Sequence, residues 1–393
     1  MNERLSSSNR RSVVLTLGSA QTIAWGSSYY LPAVLAAPMA RDLGVSPVWV
    51  FAAFSLAMIV AAIVGPWSGR RIDLLGGRGL LMATNFVFAT GLLAMAASPN
   101  VGFLFASWAL MGIGMGMGLY ESAFATLAGI YGKDARSPIT GITLIAGFAS
   151  TLAWPLTGLL DAHVGWRWAC VVWAGCHLLV ALPLNALLPI SSSCDLSRPT
   201  SALETPIEGK DSFLATALLS FVFAATWFSS TAMATHLPRL LEASGASTAV
   251  AIAAAALIGP AQVAARLAEF GLLQRFHPLV SAQIAAAAHP FGAVLLLLIG
   301  GPAAYAFTLL HGAGNGVLTI AKGTLPLALF GSAGYGQRQG ILNAPARILQ
   351  AIAPLLFGYL LERYGANAIC FTLALGVTSF LAIITLGVIA KEE

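Results

Sequence analysis

The sequence predicts an all-α membrane protein with twelve transmembrane helices in two pseudo-symmetric bundles of six, on three observations. Apolar residues fill 58% of 393 positions and the mean hydropathy is +0.82, against about 45–50% apolar in globular domains. Apolar runs near the length of about 20 residues that spans a bilayer recur twelve times. The longest polar stretch, "ISSSCDLSRPTSALETPIEGKDS" at 190–212, divides those runs six and six.

The first six runs lie at roughly 13–40, 48–68, 79–97, 101–130, 138–161 and 167–189. The second six lie at roughly 213–238, 247–270, 279–300, 302–330, 338–361 and 366–390. Helices are expected because lipid offers backbone N–H and C=O groups no partner outside their own segment. The runs lack the polar–apolar alternation of a membrane barrel. Arg10 and Arg11 ahead of the first run imitate a signal peptide, but the run is too long for one and no small-residue cleavage site follows.

Charge placement orients the chain. With a cytoplasmic N-terminus, thirteen of the 20 Lys and Arg face the cytoplasm: Arg4, Arg10, Arg11, Arg70, Arg71, Arg78, Lys133, Arg136, Arg198, Lys210, Arg275, Arg338 and Lys391. Arg41, Arg167, Arg239 and Arg363 fall outside, and Arg266, Lys322 and Arg347 lie within helices. This asymmetry follows the positive-inside rule and puts both termini in the cytoplasm. The net charge of +5 then needs no nucleic-acid partner. The four cysteines (Cys170, Cys176, Cys194, Cys370) have no metal-ligand spacing.

The halves echo each other, giving domains at 1–189 and 213–393 with 190–212 as a flexible linker. Gly65-Pro66 recurs as Gly259-Pro260, "GIGMG" at 112–116 recurs as "GAGNG" at 312–316, and Gly158 and Gly165 return as Gly358 and Gly365. Matched glycines let membrane helices approach closely where no hydrophobic drive joins them. Parallel six-helix repeats place a substrate site between the halves near the bilayer midplane.

The loop "GRRIDLLGGRG" at 69–79 concentrates charge in a chain that is only 9% charged. Gly69, Asp73, Gly76 and Arg78 form G-x-x-x-D-x-x-G-x-R between the second and third runs. With the helix count, the linker and the internal echo, this resembles the signature loop of the major facilitator superfamily of secondary transporters. Leu74 departs from the family, which usually has a basic residue there. The resemblance implies that Gly69, Asp73, Gly76 and Arg78 latch the halves on the cytoplasmic side in the outward-open state. The alternative is a plain topology signal, to which Asp73 would add nothing. The second-half counterpart, Arg266 to Glu269, is degenerate, an i,i+3 pair that neutralises itself.

Three ionisable residues stand inside predicted helices: Glu121, Lys322 and Arg347. Each is nine or ten residues from its cytoplasmic loop, about 14 Å at 1.5 Å per residue and so near the midplane of a core about 30 Å thick. Charge at that depth is costly, so each should face inward with a partner, and such residues mark sites. One acid and two bases suit an anionic substrate, with Glu121 as the protonatable group. An inert buried pair that fixes packing is the structural alternative. Gln21 and Trp25 share a face of the first helix, with Tyr29 close by, and this aromatic, polar wall suits ligand stacking. Trp154, Trp227, Asn315 and Asn343 complete the expected substrate-binding set, although each alone also serves as helix glue. His236, His289 and His311 show no cluster in the sequence, so no metal is expected.

No P-loop, nucleophile elbow or zinc motif occurs, so neither an enzyme nor ATP-driven transport is expected, and no cofactor is implied. Relative to the superfamily, the GP-x-x-GG-like motif and the helix-4 arginine motif of drug–proton antiporters are missing. "YESAF", "GFAST-x-x-WP" and "GWR" look more like the bacterial branch that includes monocarboxylate and oxalate porters. The resemblance implies a monomeric, multi-pass carrier in a bacterial inner membrane, moving a small organic anion by alternating access with protons as the coupling ion. Three alternatives stand: a carrier of a planar aromatic solute of the riboflavin kind, drug or metabolite efflux, and a non-transporting sensor or scaffold. The last would be expected to carry a folded soluble domain, for which 190–212 is too short.

Overall fold

The computed structural model describes residues 7–190 and 209–392, with side chains described over 10–190 and 213–390. Most of the expected linker, with Cys194, lies outside the described residues.

The described chain is almost entirely helical. Its first part holds α1 (Ser7–Ser27), α2 (Leu31–Asp42), α3 (Pro47–Leu75), α4 (Gly77–Ala96), α5 (Val101–Gly118), α6 (Tyr120–Tyr131), α7 (Arg136–Ala146), α8 (Ala149–Cys176) and α9 (Leu182–Ala186). After the undescribed stretch come α10 (Gly209–Ala243), α11 (Thr248–Ala256), α12 (Ile258–Gly271), α13 (Pro278–Ile299), α14 (Ala304–Phe330), α15 (Tyr335–Tyr364) and α16 (Ile369–Glu392). These sixteen helices make up twelve spans, because several expected spans are broken within the membrane-length run. The run at 13–40 divides at 28–30, the run at 101–130 at Leu119, and the run at 247–270 at Leu257.

Local chemistry sets the ends. The Ser46 hydroxyl accepts from the Val48 amide and Pro47 opens α3, while Asn100 Oδ1 accepts from the Phe103 amide to cap α5. Gly76 alone separates α3 from α4, at φ 78°, a conformation open to glycine and unfavourable for other residues. The loop expected between 161 and 167 shrinks to Gly165, whose φ of 81° turns the chain within α8.

By proximity the chain forms two units, one of Met1–Pro199 with Ser332–Ala344 and one of Thr200–Gly331 with Pro345–Glu393. The first ten residues of α15 therefore belong with the first unit. In the first unit α5 packs on α3 and α4, and α1 on α7 and α8; in the second, α14 packs on α12 and α13, and α16 on α10 and α13. Large apolar side chains point outward on both, Leu179 and Leu298 at 79% exposure each, as suits a chain solvated by lipid.

The glycines of "GIGMGMG" make α5 a close-packing helix. A methyl group on Gly112 would meet the Ala57 carbonyl at 2.5 Å and Val60 Cβ at 2.9 Å, whereas Gly79 has nothing within 4 Å. Gly112→Ala is expected to lower the melting temperature of the purified protein by several degrees, equivalent to about 1–3 kcal/mol of overpacking. Gly79→Ala is expected to leave it unchanged.

Candidate functional site

The break at Leu119 organises the polar part of the first unit. Leu119 is extended (φ −82°, ψ −169°), so carbonyls at the end of α5 lose their in-helix partners. Such groups must be satisfied by other means in a membrane. Gln21 Nε2 donates to the Gly118 carbonyl at 2.7 Å and the Ser122 hydroxyl to the Gly116 carbonyl at 3.5 Å. Glu121, half-buried, stands in the first turn of α6, where the partial positive charge of a helix N-terminus favours an anion.

Aromatic rings collect beside this break. The Trp25 ring lies 4.8 Å from Tyr120, the neighbour of Glu121, and 5.3 Å from Tyr29. Tyr29 also meets Tyr30 and Phe54, and Trp154 reaches the group through Tyr30 at 5.8 Å. Trp25 is only 5% exposed, whereas Trp154 is 46% exposed. Tyr30 joins the same cluster, its ring 6.2 Å from that of Trp25.

The charged loop meets the start of α15. Asp73 Oδ1 accepts from the Gly336 amide and Oδ2 from the Gln337 amide, both at 2.8 Å. These amides belong to the first turn of α15, a natural anion site. The cation beside Asp73 is Arg338. Arg78 is not part of this contact: the turn at Gly76 carries it, half-buried, onto α4. Gly69 lets the helices touch, since a methyl there would overlap the Gly336 carbonyl, and Gly340 lies equally tight against Pro66. Further along α15, Gln339 Nε2 donates to the Tyr335 hydroxyl at 2.6 Å, and Asn343 Nδ2 donates to Gln339 Oε1 at 2.8 Å.

In the second unit Lys322 and Arg347 are buried, at 5% and 7% exposure. Lys322 Nζ sits 3.6 Å from the centre of the Trp227 ring, a desolvated cation–π pair worth about 2 kcal/mol. Asn315 faces instead a cavity within the unit, lined also by Thr226, Ser229, His289, His311 and Ser379. His289 and His311 are hydrogen-bonded across α13 and α14 at 2.9 Å, correcting the expectation that the histidines are dispersed. Their spacing of 22 residues gave no sign of it, because the pairing depends on the register of two antiparallel helices. Arg266 is likewise not closed on Glu269 alone: its Nε donates to the Gly316 carbonyl at 3.4 Å. Among the described residues, no three His, Cys, Asp or Glu side chains converge as a metal site.

Asp73→Asn keeps one acceptor oxygen and loses the charge. Amide deuterium exchange at Gly336 and Gln337 is expected to speed up about tenfold, the equivalent of about 1.4 kcal/mol. Arg78→Ala is expected to leave both amides unchanged.

Known proteins share this architecture. The chain is 27% identical over 356 residues to a 38 kDa protein of Thermoproteus tenax described as uncharacterised and encoded in a 23S RNA operon, covering 89% of each. It is 26% identical over 214 residues to a lincomycin resistance protein of Streptomyces lincolnensis, covering 53% of this chain and 40% of that one. It is also 28% identical over 159 residues to monocarboxylate transporter 9 of Pongo abelii, covering 40% and 29%. The solved structure of the proton:xylose symporter XylE superposes with a TM-score of 0.79 at 14% identity, covering 96% of each chain. The sequence model of the Major Facilitator Superfamily matches residues 17–321, and with the twelve-span fold this makes the chain a member of that superfamily of multi-pass membrane transporters.

Proposed function

We propose that the chain is a proton-coupled carrier of a small organic anion, working by alternating access between the bundles 1–189 and 213–393. The observation that carries this reading is the burial of two cations, Lys322 and Arg347, in membrane-spanning helices of the second unit. Burial of a charge in such helices is expensive and rarely kept without use. An arginine fork gives a carboxylate two parallel hydrogen bonds, and a lysine adds a point charge. The similarity to monocarboxylate transporter 9 supports this substrate class over the stretch it covers.

In this reading Glu121 takes the coupling proton. It is a carboxylate in the first turn of a helix that begins inside the span, and intramembrane carboxylates are the groups that proton relays use. Gln21, Trp25, Tyr29, Trp154, Trp227, Asn315 and Asn343 shape the substrate path, and Gly69, Gly76 and Asp73 form the cytoplasmic latch. The carrier is a monomer in a bacterial inner membrane with both termini in the cytoplasm. A planar aromatic substrate is the second reading, favoured by the rings of Tyr29, Tyr30 and Tyr120 around Trp25.

Proteoliposome uptake of a panel of small carboxylates separates these readings. Lys322→Gln and Arg347→Gln are each expected to reduce uptake at least about thirtyfold, the equivalent of about 2 kcal/mol. Wild-type uptake in both variants would falsify the anion reading, and saturable quenching by an uncharged aromatic solute, weakened in Trp25→Phe, would replace it. Glu121→Gln is expected to lose accumulation driven by a proton gradient while keeping counterflow exchange.

A further inference from the structure

His177 shows how a structural histidine is held in this protein. Its Nδ1 donates to Asn85 Oδ1 at 3.0 Å, and the Ser27 hydroxyl donates to Nε2 at 2.7 Å. Both ring nitrogens are occupied and the ring is neutral; another proton could enter only by breaking the bond from Ser27.

His289 and His311 are held differently. Their Nδ1 atoms lie 2.9 Å apart, so one ring must donate its N–H to the lone pair of the other. They are 9% and 4% exposed and face the cavity lined by Thr226, Ser229, Asn315 and Ser379. His289 Nε2 is buried without an aligned hydrogen bond, and the Thr372 backbone lies beside its ring. Gly376 provides the room, since a methyl there would meet Pro290 at 2.8 Å and His289 Cδ2 at 3.3 Å. His289 lies eleven residues into α13, about 16 Å along its axis and close to its middle.

We propose that His289 and His311 form a proton-binding site of the second unit, separate from Glu121, that takes up one proton as a shared imidazolium–imidazole pair. In the neutral pair one ring donates Nδ1–H to the Nδ1 of the other and keeps a lone pair on its own Nε2. The incoming proton bonds to that Nε2 and no existing bond breaks. The pair gains one positive charge, and the Nδ1–H···Nδ1 bond becomes charge-assisted, roughly twice as strong as a neutral one. The Thr372 backbone beside His289 supplies an acceptor for an N–H on that ring.

The groups facing the pair from α10 and α16 are the hydroxyls of Thr226, Ser229 and Ser379, and no carboxylate lines the cavity. Elsewhere on the packed helices, Arg266 of α12 bonds the Gly316 carbonyl five residues beyond His311, with Glu269 one turn further along α12. Lys322 stands eleven residues beyond His311 on α14, about 16 Å away along the axis. His236 of α10 donates to the Pro354 carbonyl. Proton uptake by the pair is independent of the substrate; its link to transport rests on the proton-coupled reading above.

Solid-state NMR of the full-length protein, labelled with 15N-histidine and reconstituted in phosphatidylcholine liposomes, reads each ring's protonation directly. The titration runs from about pH 4 to about pH 9, bracketing an ordinary imidazole. His289 and His311 are expected to titrate as one coupled group while His177 stays neutral. His311→Gln is expected to lower the His289 midpoint by at least about one pH unit, a tenfold loss of proton affinity, because an amide oxygen is a much weaker base than the imidazole nitrogen with which the proton is shared. Wild-type rings that stay neutral to the bottom of the range, or a His289 midpoint unmoved in His311→Gln, overturn the proposal. If that variant fails to fold, the wild-type titration decides alone. The transport reading fails by a different observation, concentrative uptake retained in Glu121→Gln, whatever the histidines do.

Discussion

A backbone N–H or C=O left without a partner in hydrocarbon costs several kcal/mol, and this constraint governs where polar side chains stand in this protein. Unbroken helices satisfy their own backbones and need nothing from their neighbours. At Leu119 the helix breaks, and Gln21 reaches across from α1 to the Gly118 carbonyl at the end of α5. The same break creates a helix N-terminus inside the span and places Glu121 in its first turn. A polar cluster follows from a backbone defect.

The contact at Asp73 uses the same device. The orphan amides are those that open α15, and the carboxylate that fills them ends α3. Glycine governs the approach, because Gly69 and Gly340 bring backbone against backbone. A charged group reaches two amides only when nothing bulkier intervenes. The glycines and the acid of this loop therefore act as one arrangement, while the arginines around them are free to serve topology.

Inside the units, the buried histidines are held in different ways. The first unit holds Ser27, Asn85 and His177 in a closed chain of hydrogen bonds. Displaced by 200 residues, Asn85 and His177 fall at Ala285 and Val377, beside the residues that line the cavity of the second unit. There the histidines face one another instead of amide and hydroxyl partners. One unit closes its histidine with an amide and a hydroxyl, whereas the other pairs two imidazoles with each other.

The residues by themselves determined the class of protein, the twelve spans and the family resemblance, because hydropathy and span length are additive along the chain and survive any detail of packing. They also marked Glu121, Lys322 and Arg347, since charge inside an apolar run is conspicuous in one dimension. Tertiary structure decided what each residue touches. The breaks at Leu119 and Leu257 carry no proline at the break itself, and Arg338, which lies beside Asp73, is far from it in sequence. The pairing of His289 with His311, and the seat of Lys322 over Trp227, depend on helix register and azimuth. Those are set by close packing between distant segments, so no local pattern encodes them.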